Sequence, residues 1–225
     1  MQYKNISLAY GERTILRDIS LTINPGEFVF LIGTSGSGKT SFIRSLLWAK
    51  KLKSGNIIDD HGNDIALFSS KELLKYRRWL GTIFQDFKLL PRKTVRENVA
   101  FAMEVCGYNR NEIIRRVPEV LAKVWLLAKK EKFIETLSGW EVQRTCIARA
   151  LIHDPQIIIG DEPTGNLDRA NAMEIMHLLE ELNKNGKTII MATHDETIVN
   201  TMKKRVIAFA DGKIVSDTNN WTYCL

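Results

Sequence analysis

The 225-residue sequence predicts an α/β fold with a mainly parallel sheet, an N-terminal antiparallel β subdomain and an inserted α-helical subdomain. The runs at 28–32, 157–160 and 188–193 are short and mostly apolar, as in strands that a sheet buries on both faces. Helical patterns separate these runs, and such alternation indicates parallel strands. Residues 86–138 instead show helical patterns alone, which predicts the inserted subdomain.

Residues 2–24 are expected to form the antiparallel strands of the β subdomain. Ile19, Leu21 and Ile23 alternate with polar residues, a period of two that is typical of a half-buried strand. The Pro25-Gly26 pair that follows indicates a turn, so this strand ends before the first apolar run begins.

Residues 1–216 are predicted to form a single domain. The shorter elements expected around the apolar runs are a hairpin over 56–65, a basic helix over 71–79, a strand over 82–84 and a closing hairpin over 206–216. Within the helical subdomain, an apolar stripe along 113–124 is expected to continue through Pro118. Residues 217–225 are predicted to form a weakly ordered tail.

Composition and charge limit the classes of protein to which the chain could belong. No apolar stretch approaches the ~20 residues needed to span a bilayer, and the N-terminus does not resemble a signal peptide. Cys106, Cys146 and Cys224 lack metal-ligand spacing, and their odd number favours reduced thiols in a cytoplasm. The net charge of +6 comes from scattered basic residues, so charge alone identifies no partner.

The glycine-rich loop after the first apolar run fits the phosphate-binding pattern G-x-x-x-x-G-K-[ST]. Gly33, Gly36 and Gly38 lack a Cβ, so the backbone can bring its N–H groups against phosphate oxygens. Lys39 adds a positive charge, and the Thr40 hydroxyl can ligate Mg²⁺. A chance match is the alternative, but strand, loop and helix follow in the order that the motif requires. Three serines complete the candidate loop: Ser35, Ser37 and Ser41.

Polar residues at strand ends are the next candidates, because such ends face the ligand crevice of a parallel sheet. Asp161 can hold Mg²⁺ through water, Glu162 can accept a proton from water, and His194 can donate a hydrogen bond to the γ-phosphate. Gln85 is a candidate Mg²⁺ or water sensor, although alone it is an ordinary loop glutamine. Tyr10 is either an edge aromatic or a ring that stacks on a base.

Ser138 and Gly139 open another predicted helix. Ser138 and Glu141 have capping-box spacing, which alone would explain both residues. The unpaired N–H groups of a helix N-terminus also make an anion site, so this turn is a second phosphate-binding candidate.

Together these residues resemble the ATP-binding-cassette (ABC) ATPase family over nearly the whole chain. In that resemblance 33–40 is the Walker A loop, Gln85 the Q-loop, 137–141 the LSGGQ-type signature, 157–162 Walker B, Asp168 part of the D-loop, His194 the switch histidine and Tyr10 the adenine-stacking aromatic. The resemblance implies a RecA-like P-loop core that binds and hydrolyses ATP with Mg²⁺. It also implies a head-to-tail homodimer, in which Ser138, Gly139 and Asp168 of one copy complete the nucleotide site of the other.

The cell-division branch of this family is similar to the chain at residues 84–86, 161–168 and 191–195. The lipoprotein-release and macrolide-export branches share much of the sequence of these motifs. The cell-division resemblance implies an integral membrane partner like FtsX, docked near Gln85 and the helical subdomain. It also implies a peripheral location on the cytoplasmic face of the inner membrane and control of cell-wall hydrolysis. Direct nucleic-acid binding is not expected, because the sustained heptads of the DNA-repair relatives are missing from the sequence.

Trp140 departs from the family pattern, because it occupies the second glycine position of the signature. Trp48 and Trp125 also stand where these ATPases are expected to have glycine. We hypothesise a common cause, a source in which the UGA codon means glycine. If the tryptophans are real, bulk at the dimer seam is expected to weaken closure and slow hydrolysis, which leaves a nucleotide-binding scaffold as an alternative function.

Overall fold

The computed structural model describes residues 1–47 and 52–219, which contain two sheets and seven α-helices. The strands are β1 (Gln2–Tyr10), β2 (Arg13–Thr22), β3 (Phe28–Ile32), β4 (Leu52–Ile58), β5 (Leu80–Ile83), β6 (Ile157–Asp161), β7 (Thr188–Ala192), β8 (Arg205–Ala210) and β9 (Lys213–Thr218). The helices are α1 (Lys39–Leu47), α2 (Ser70–Arg78), α3 (Val95–Glu104), α4 (Arg110–Lys123), α5 (Gly139–Leu151), α6 (Arg169–Lys184) and α7 (Glu196–Met202). Trp48 and Cys224 lie outside the described residues.

The larger sheet has the strand order β5-β6-β7-β3-β8-β9. Its strands are parallel except for β9, which pairs antiparallel with β8. Every residue of β3 and β7 is buried, as the apolar runs predict. Because β3, β6 and β7 are adjacent and parallel, their carboxyl ends meet at one edge, where the polar candidates follow each strand. The predicted α/β fold is confirmed.

The smaller sheet is antiparallel, with the order β2-β1-β4, and it forms the expected β subdomain. The hairpin expected over 56–65 is wrong. Ile57 pairs with Tyr3 of β1, and only an isolated bridge joins Ile58 to Asp64. The strand therefore takes its partner from β1, and it ends at Ile58 because the Asp59 carboxylate accepts hydrogen bonds from the backbone N–H groups of His61 and Asn63 in the next turn.

The inserted stretch contains α3 and α4 and packs on the core through buried aliphatic side chains. Pro118 lies inside α4 without ending it, as expected. The helix ends in a Schellman motif, in which Trp125 N–H bonds to Ala122 O at 3.0 Å and Leu126 N–H to Leu121 O at 2.8 Å. Trp125 has a φ of 57°, the left-handed conformation that this position requires and that glycine adopts most easily.

The C-terminal hairpin extends further than the sequence predicts. Strand β9 continues to Thr218, and the Asp217 carboxylate pairs with Arg205 of β8 at 2.6 Å. The ordered chain therefore passes residue 216, where the weakly ordered tail was expected to begin, and residues 220–225 lie outside the described part. Within 1–47 and 52–219, none of the helices combines the length and the apolar character that a membrane crossing requires.

Candidate nucleotide site

The glycine-rich loop joins β3 to α1 and is closed by a hydrogen bond from Ser37 N–H to Thr34 O at 3.1 Å. Gly33 has a φ of 146°, and a Cβ at this position would lie 2.3 Å from Phe209 O. Glycine is therefore needed here for both conformation and space. The Ser37 hydroxyl is buried and has no hydrogen-bond partner within residues 1–47 and 52–219, so the loop carries a polar group that an anionic oxygen could satisfy.

Lys39 is the first residue of α1, and its ammonium group is folded back onto the loop. Its Nζ donates to Gly33 O at 2.6 Å and to Thr34 O at 3.1 Å. Burial lowers the pKa of Lys39, while the nearby carboxylates of Glu162 and Asp161 oppose that shift. An ammonium has three N–H donors, so one remains for a phosphate oxygen.

Two oxygen donors meet at the base of the loop. Thr40 Oγ1 donates to Asp161 Oδ1 at 3.2 Å, which joins α1 to the end of β6. Burial raises the pKa of Asp161, and the neighbouring Glu162 adds to the effect while the Thr40 hydrogen bond opposes it. A hydroxyl and a carboxylate are ligands that Mg²⁺ accepts, so the donor set fits this cation.

Glu162 and His194 form a pair at the ends of adjacent strands. His194 Nδ1 lies 3.0 Å from Glu162 Oε1, and Glu162 N–H donates to Ala192 O of β7 at 2.9 Å. Glu162 has a left-handed φ of 51°, an uncommon conformation for a residue with a side chain. The backbone therefore holds the carboxylate at the sheet edge, and the imidazole orients it.

A cleft of about 430 Å³ brings most of the predicted site residues together. Its walls include Gly33, Ser35, Gly36, Ser37, Gly38, Lys39, Thr40, Ser41, Gln85, Glu162 and His194. Sequence reasoning missed Arg13 and Ile15, which also line the cleft from the start of β2. The signal was the two-residue Gly11-Glu12 turn, which places Arg13 directly opposite Tyr10.

Five predicted residues are not among those that line the cleft: Tyr10, Ser138, Gly139, Asp161 and Asp168. Asp161 instead lines the neighbouring cleft beside Gln85. Tyr10 is 43% exposed at the end of β1. Ser138 caps α5, and its hydroxyl and N–H both donate to the Glu141 carboxylate. Burial alone would raise the pKa of Glu141, but hydrogen bonds from Lys129 and Ser138 lower it overall. Asp168 caps α6, where its Oδ1 accepts from Asn171 N–H at 3.0 Å.

The family model described as ABC transporter matches residues 16–165. The cell division ATP-binding protein FtsE of Bacillus subtilis is 50% identical over 224 residues, which cover 99% of this chain and 98% of that protein. The chain belongs to the ABC ATPase family, in the FtsE group. FtsE of Mycobacterium tuberculosis is 45% identical, with 99% and 94% covered, and FtsE of Escherichia coli is 39% identical, with 95% and 96% covered.

Solved ABC cassettes share the fold. The cbiO1 protein of Clostridium perfringens, part of the ABC transporter complex cbiONQ, superposes with a TM-score of 0.88 at 31% identity, covering 97% of this chain and 88% of that one. An ATP-binding cassette solved as a dimer in a post-hydrolysis state bound to ADP and Pi gives a TM-score of 0.85 at 33% identity, with 96% and 97% covered.

The cassette carries an arginine between two tryptophans beside its signature turn. The guanidinium carbon of Arg144 lies 4.6 Å from the ring centre of Trp125 and 4.7 Å from that of Trp140. Arg144 also donates to Val124 O at 3.2 Å and to the Glu174 carboxylate of α6 at 2.5 Å. Trp140 lies in the first turn of α5, whereas Trp125 has a left-handed backbone with a φ of 57°.

The turn of the β8–β9 hairpin supports the phosphate loop from behind. Gly212 N–H donates to Ser37 O at 3.0 Å, and Arg17 N–H donates to Gly212 O at 2.9 Å. A Cβ on Gly212 would lie 2.0 Å from Ile15 O. The hairpin turn is therefore bonded at once to the phosphate loop and to the β subdomain.

Proposed function

We propose that the chain is the ATP-hydrolysing subunit of an FtsEX-like membrane complex, in which it dimerises around ATP and drives a partner that regulates cell-wall hydrolysis during cell division. The observation that carries this proposal is the single cleft that joins the Lys39 loop to Glu162 and His194. The similarity to cell-division ATPases over nearly the whole chain supports the biological role.

Within one copy, the phosphate loop binds the triphosphate through its N–H groups and the free donor of Lys39. Bound Mg²⁺ would neutralise phosphate charge, held by Thr40 and, through water, Asp161, with Gln85 nearby. Glu162 accepts a proton from the attacking water. An imidazolium donates from both ring nitrogens, so a protonated His194 can hold Glu162 and a γ-phosphate oxygen at once.

The second half of each site is proposed to come from a second copy of the chain. Ser138 and Gly139 lie at the N-terminus of α5, where unpaired N–H groups favour an anion. Asp168 is the N-cap of α6, with its own carboxylate bonded to Asn171 N–H. These residues lie away from the cleft of their own copy, which is consistent with a role across a head-to-tail dimer. Tyr10 is proposed to stack on the adenine, since its exposed ring lies opposite Arg13 of the cleft wall.

The membrane partner is proposed to resemble FtsX and to dock near the Q-loop. A second cleft of about 710 Å³ lies beside Gln85, and its lining includes apolar Leu47 and Phe84, basic Arg44 and Lys88, and acidic Asp86 and Asp161. Its mixture of apolar side chains and charges of both signs suits a short amphipathic helix of a membrane protein. This contact would place the chain on the cytoplasmic face of the inner membrane.

A nucleotide-dependent scaffold with poor turnover is the second candidate, and the ring of Trp140 at the signature turn favours it. The two functions separate when ATPase rates are compared for the native chain, Trp140→Gly and Glu162→Gln. If the chain is a motor, Glu162→Gln should have a much lower ATPase rate than the native chain. If it is a scaffold, the native rate is already low, and Trp140→Gly should raise it. Co-purification with a membrane protein of the FtsX type tests the partner. Capture of a lipoprotein-release or macrolide-export permease would instead assign the chain to those branches.

A further inference from the structure

The Q-loop contains two consecutive residues in an uncommon backbone conformation. Phe87 has a φ of 58° and Lys88 a φ of 51°, and neither is glycine. The left-handed region is unfavourable for residues that have a Cβ. Two such residues in a row persist only where surrounding structure holds them.

Arg149 of α5 supplies that support. One guanidinium nitrogen donates to Phe87 O at 2.7 Å, and another donates to Lys88 O. The two carbonyls thus share one planar guanidinium, whose rigid fork fixes their relative orientation. Burial lowers the pKa of Arg149, but a guanidinium stays charged at any physiological pH.

Cys146, one turn earlier on the same helix, adds a third bond. Its thiol donates to Phe87 O at 3.3 Å. Burial raises the pKa of Cys146 to about 12, so the group stays a neutral donor. The Phe87 carbonyl therefore accepts from two side chains of α5.

We propose that Arg149 is a positioning residue that ties the Q-loop to the helix carrying the signature turn. Gln85, two residues before Phe87, lines the nucleotide cleft, and Ser138 caps the other end of α5. Because the guanidinium bonds to the Q-loop backbone, a shift of Gln85 is transmitted to α5 as a rigid element. This role in coupling rests on the proposed ATPase function, whereas the support of the loop conformation does not.

The test compares Arg149→Met and Arg149→Lys with the control Arg78→Met, in which another arginine loses a bond to a backbone carbonyl, Cys106 O. Arg78 precedes β5, whereas the Q-loop follows that strand. Misplaced catalytic groups cost up to about 10²-fold in rate, so Arg149→Met is expected to lower kcat by roughly 10- to 10²-fold. KM for ATP should change much less, because the phosphate loop is untouched. In Arg149→Lys, one nitrogen must serve two carbonyls, so its kcat should lie between that of the native protein and that of Arg149→Met.

A second substitution separates positioning from general damage. Lys88→Gly removes one of the two conformational penalties that Arg149 offsets, so adding it to Arg149→Met should restore part of kcat. Hydrogen exchange of the amides at 84–90 gives a readout without hydrolysis: exchange should quicken in Arg149→Met, slow again in the double variant and stay native in Arg78→Met.

Unchanged exchange in Arg149→Met would overturn the proposal, as would a double variant no better than Arg149→Met in exchange. If Arg149→Met does not fold, Arg149→Lys with and without Lys88→Gly decides the same question. A native chain without ATPase activity would defeat the proposed function, while the exchange comparison would still decide whether Arg149 holds the loop.

Discussion

Replacing Trp140 by glycine restores the family's signature pattern, yet it is expected to destabilise the isolated subunit. The Trp140 ring covers one face of Arg144, which is only 5% exposed. A cation–π contact is worth about 0.5–1 kcal/mol when exposed and about 2 kcal/mol when desolvated. Glycine is less favourable than tryptophan in a helix by only roughly 0.5 kcal/mol.

The sum for Trp140→Gly is therefore about 2 kcal/mol of lost unfolding free energy. For a protein of this size, about 2 kcal/mol lowers Tm by roughly 4–8 °C. Thermal or urea unfolding of the nucleotide-free subunit measures this directly. The same variant should dimerise more readily with ATP, so stability and closure are expected to move in opposite directions.

Trp125→Gly is the matched control, because the Trp125 ring contacts the same guanidinium, with its centre 4.6 Å from the guanidinium carbon. Here the lost contact is offset, since glycine relieves a left-handed backbone that costs about 1–2 kcal/mol. Its ring is also more than half exposed, so its contact with Arg144 is worth less. The net change in stability should be close to zero.

Equal destabilisation by the two glycine variants would refute this reasoning, because it would mean that the left-handed position of Trp125 carries no strain. A Trp140→Gly subunit as stable as the native one would show that the stacked ring contributes nothing. The gene sequence is a separate check on the common-cause hypothesis, since UGG at all three tryptophan codons would remove it.

The remaining predictions concern the loop, the catalytic base and the thiols. Lys39→Ala is expected to abolish ATP binding measured by a fluorescent nucleotide, because it removes the ammonium that the loop holds at its centre. Glu162→Gln should cut any ATPase rate by about 10²–10⁴-fold while leaving nucleotide affinity largely intact. Gly33→Ala should destabilise the fold and lose nucleotide binding, since its Cβ would meet a backbone oxygen at 2.3 Å. In the native protein, iodoacetamide should modify the partly exposed Cys106 and leave buried Cys146 unmodified, as mass spectrometry would detect.

Each of these predictions has a contrary result. Native affinity for ATP in Lys39→Ala would remove the phosphate-loop assignment altogether. Full turnover in Glu162→Gln would mean that another group accepts the proton. A Gly33→Ala protein with native stability would show that the loop can shift away from Phe209. Alkylation of Cys146 at the rate of Cys106 would mean that α5 opens easily.

The sequence predicts the phosphate loop and the sheet edge well, because both depend on local rules. Glycine spacing identifies the loop, and the length of each unbroken apolar run predicts the length of a buried strand. Asp161, Glu162 and His194 then follow from the general rule that polar residues after parallel strands share a crevice.

Long-range pairing was harder to predict. The hairpin over 56–65 failed because Ile57 finds its partner in β1, some fifty residues earlier, and periodicity within a segment does not name the partner strand. Arg13 was missed for a similar reason, since its place in the cleft depends on the pairing of β1 with β2. The stacking of Arg144 between two rings needs α4 and α5 side by side, which no local pattern specifies.

The bond between Gly212 and Ser37 has a consequence for biosynthesis. A ribosome finishes the Walker A segment early, but the hairpin that supports it emerges only after most of the chain has been made. The nascent loop must therefore wait for the hairpin before it acquires its final support. Truncated or stalled products that stop short of the hairpin keep every residue of the Walker A sequence and still lack its backing, so they should compete poorly for nucleotide in the cell.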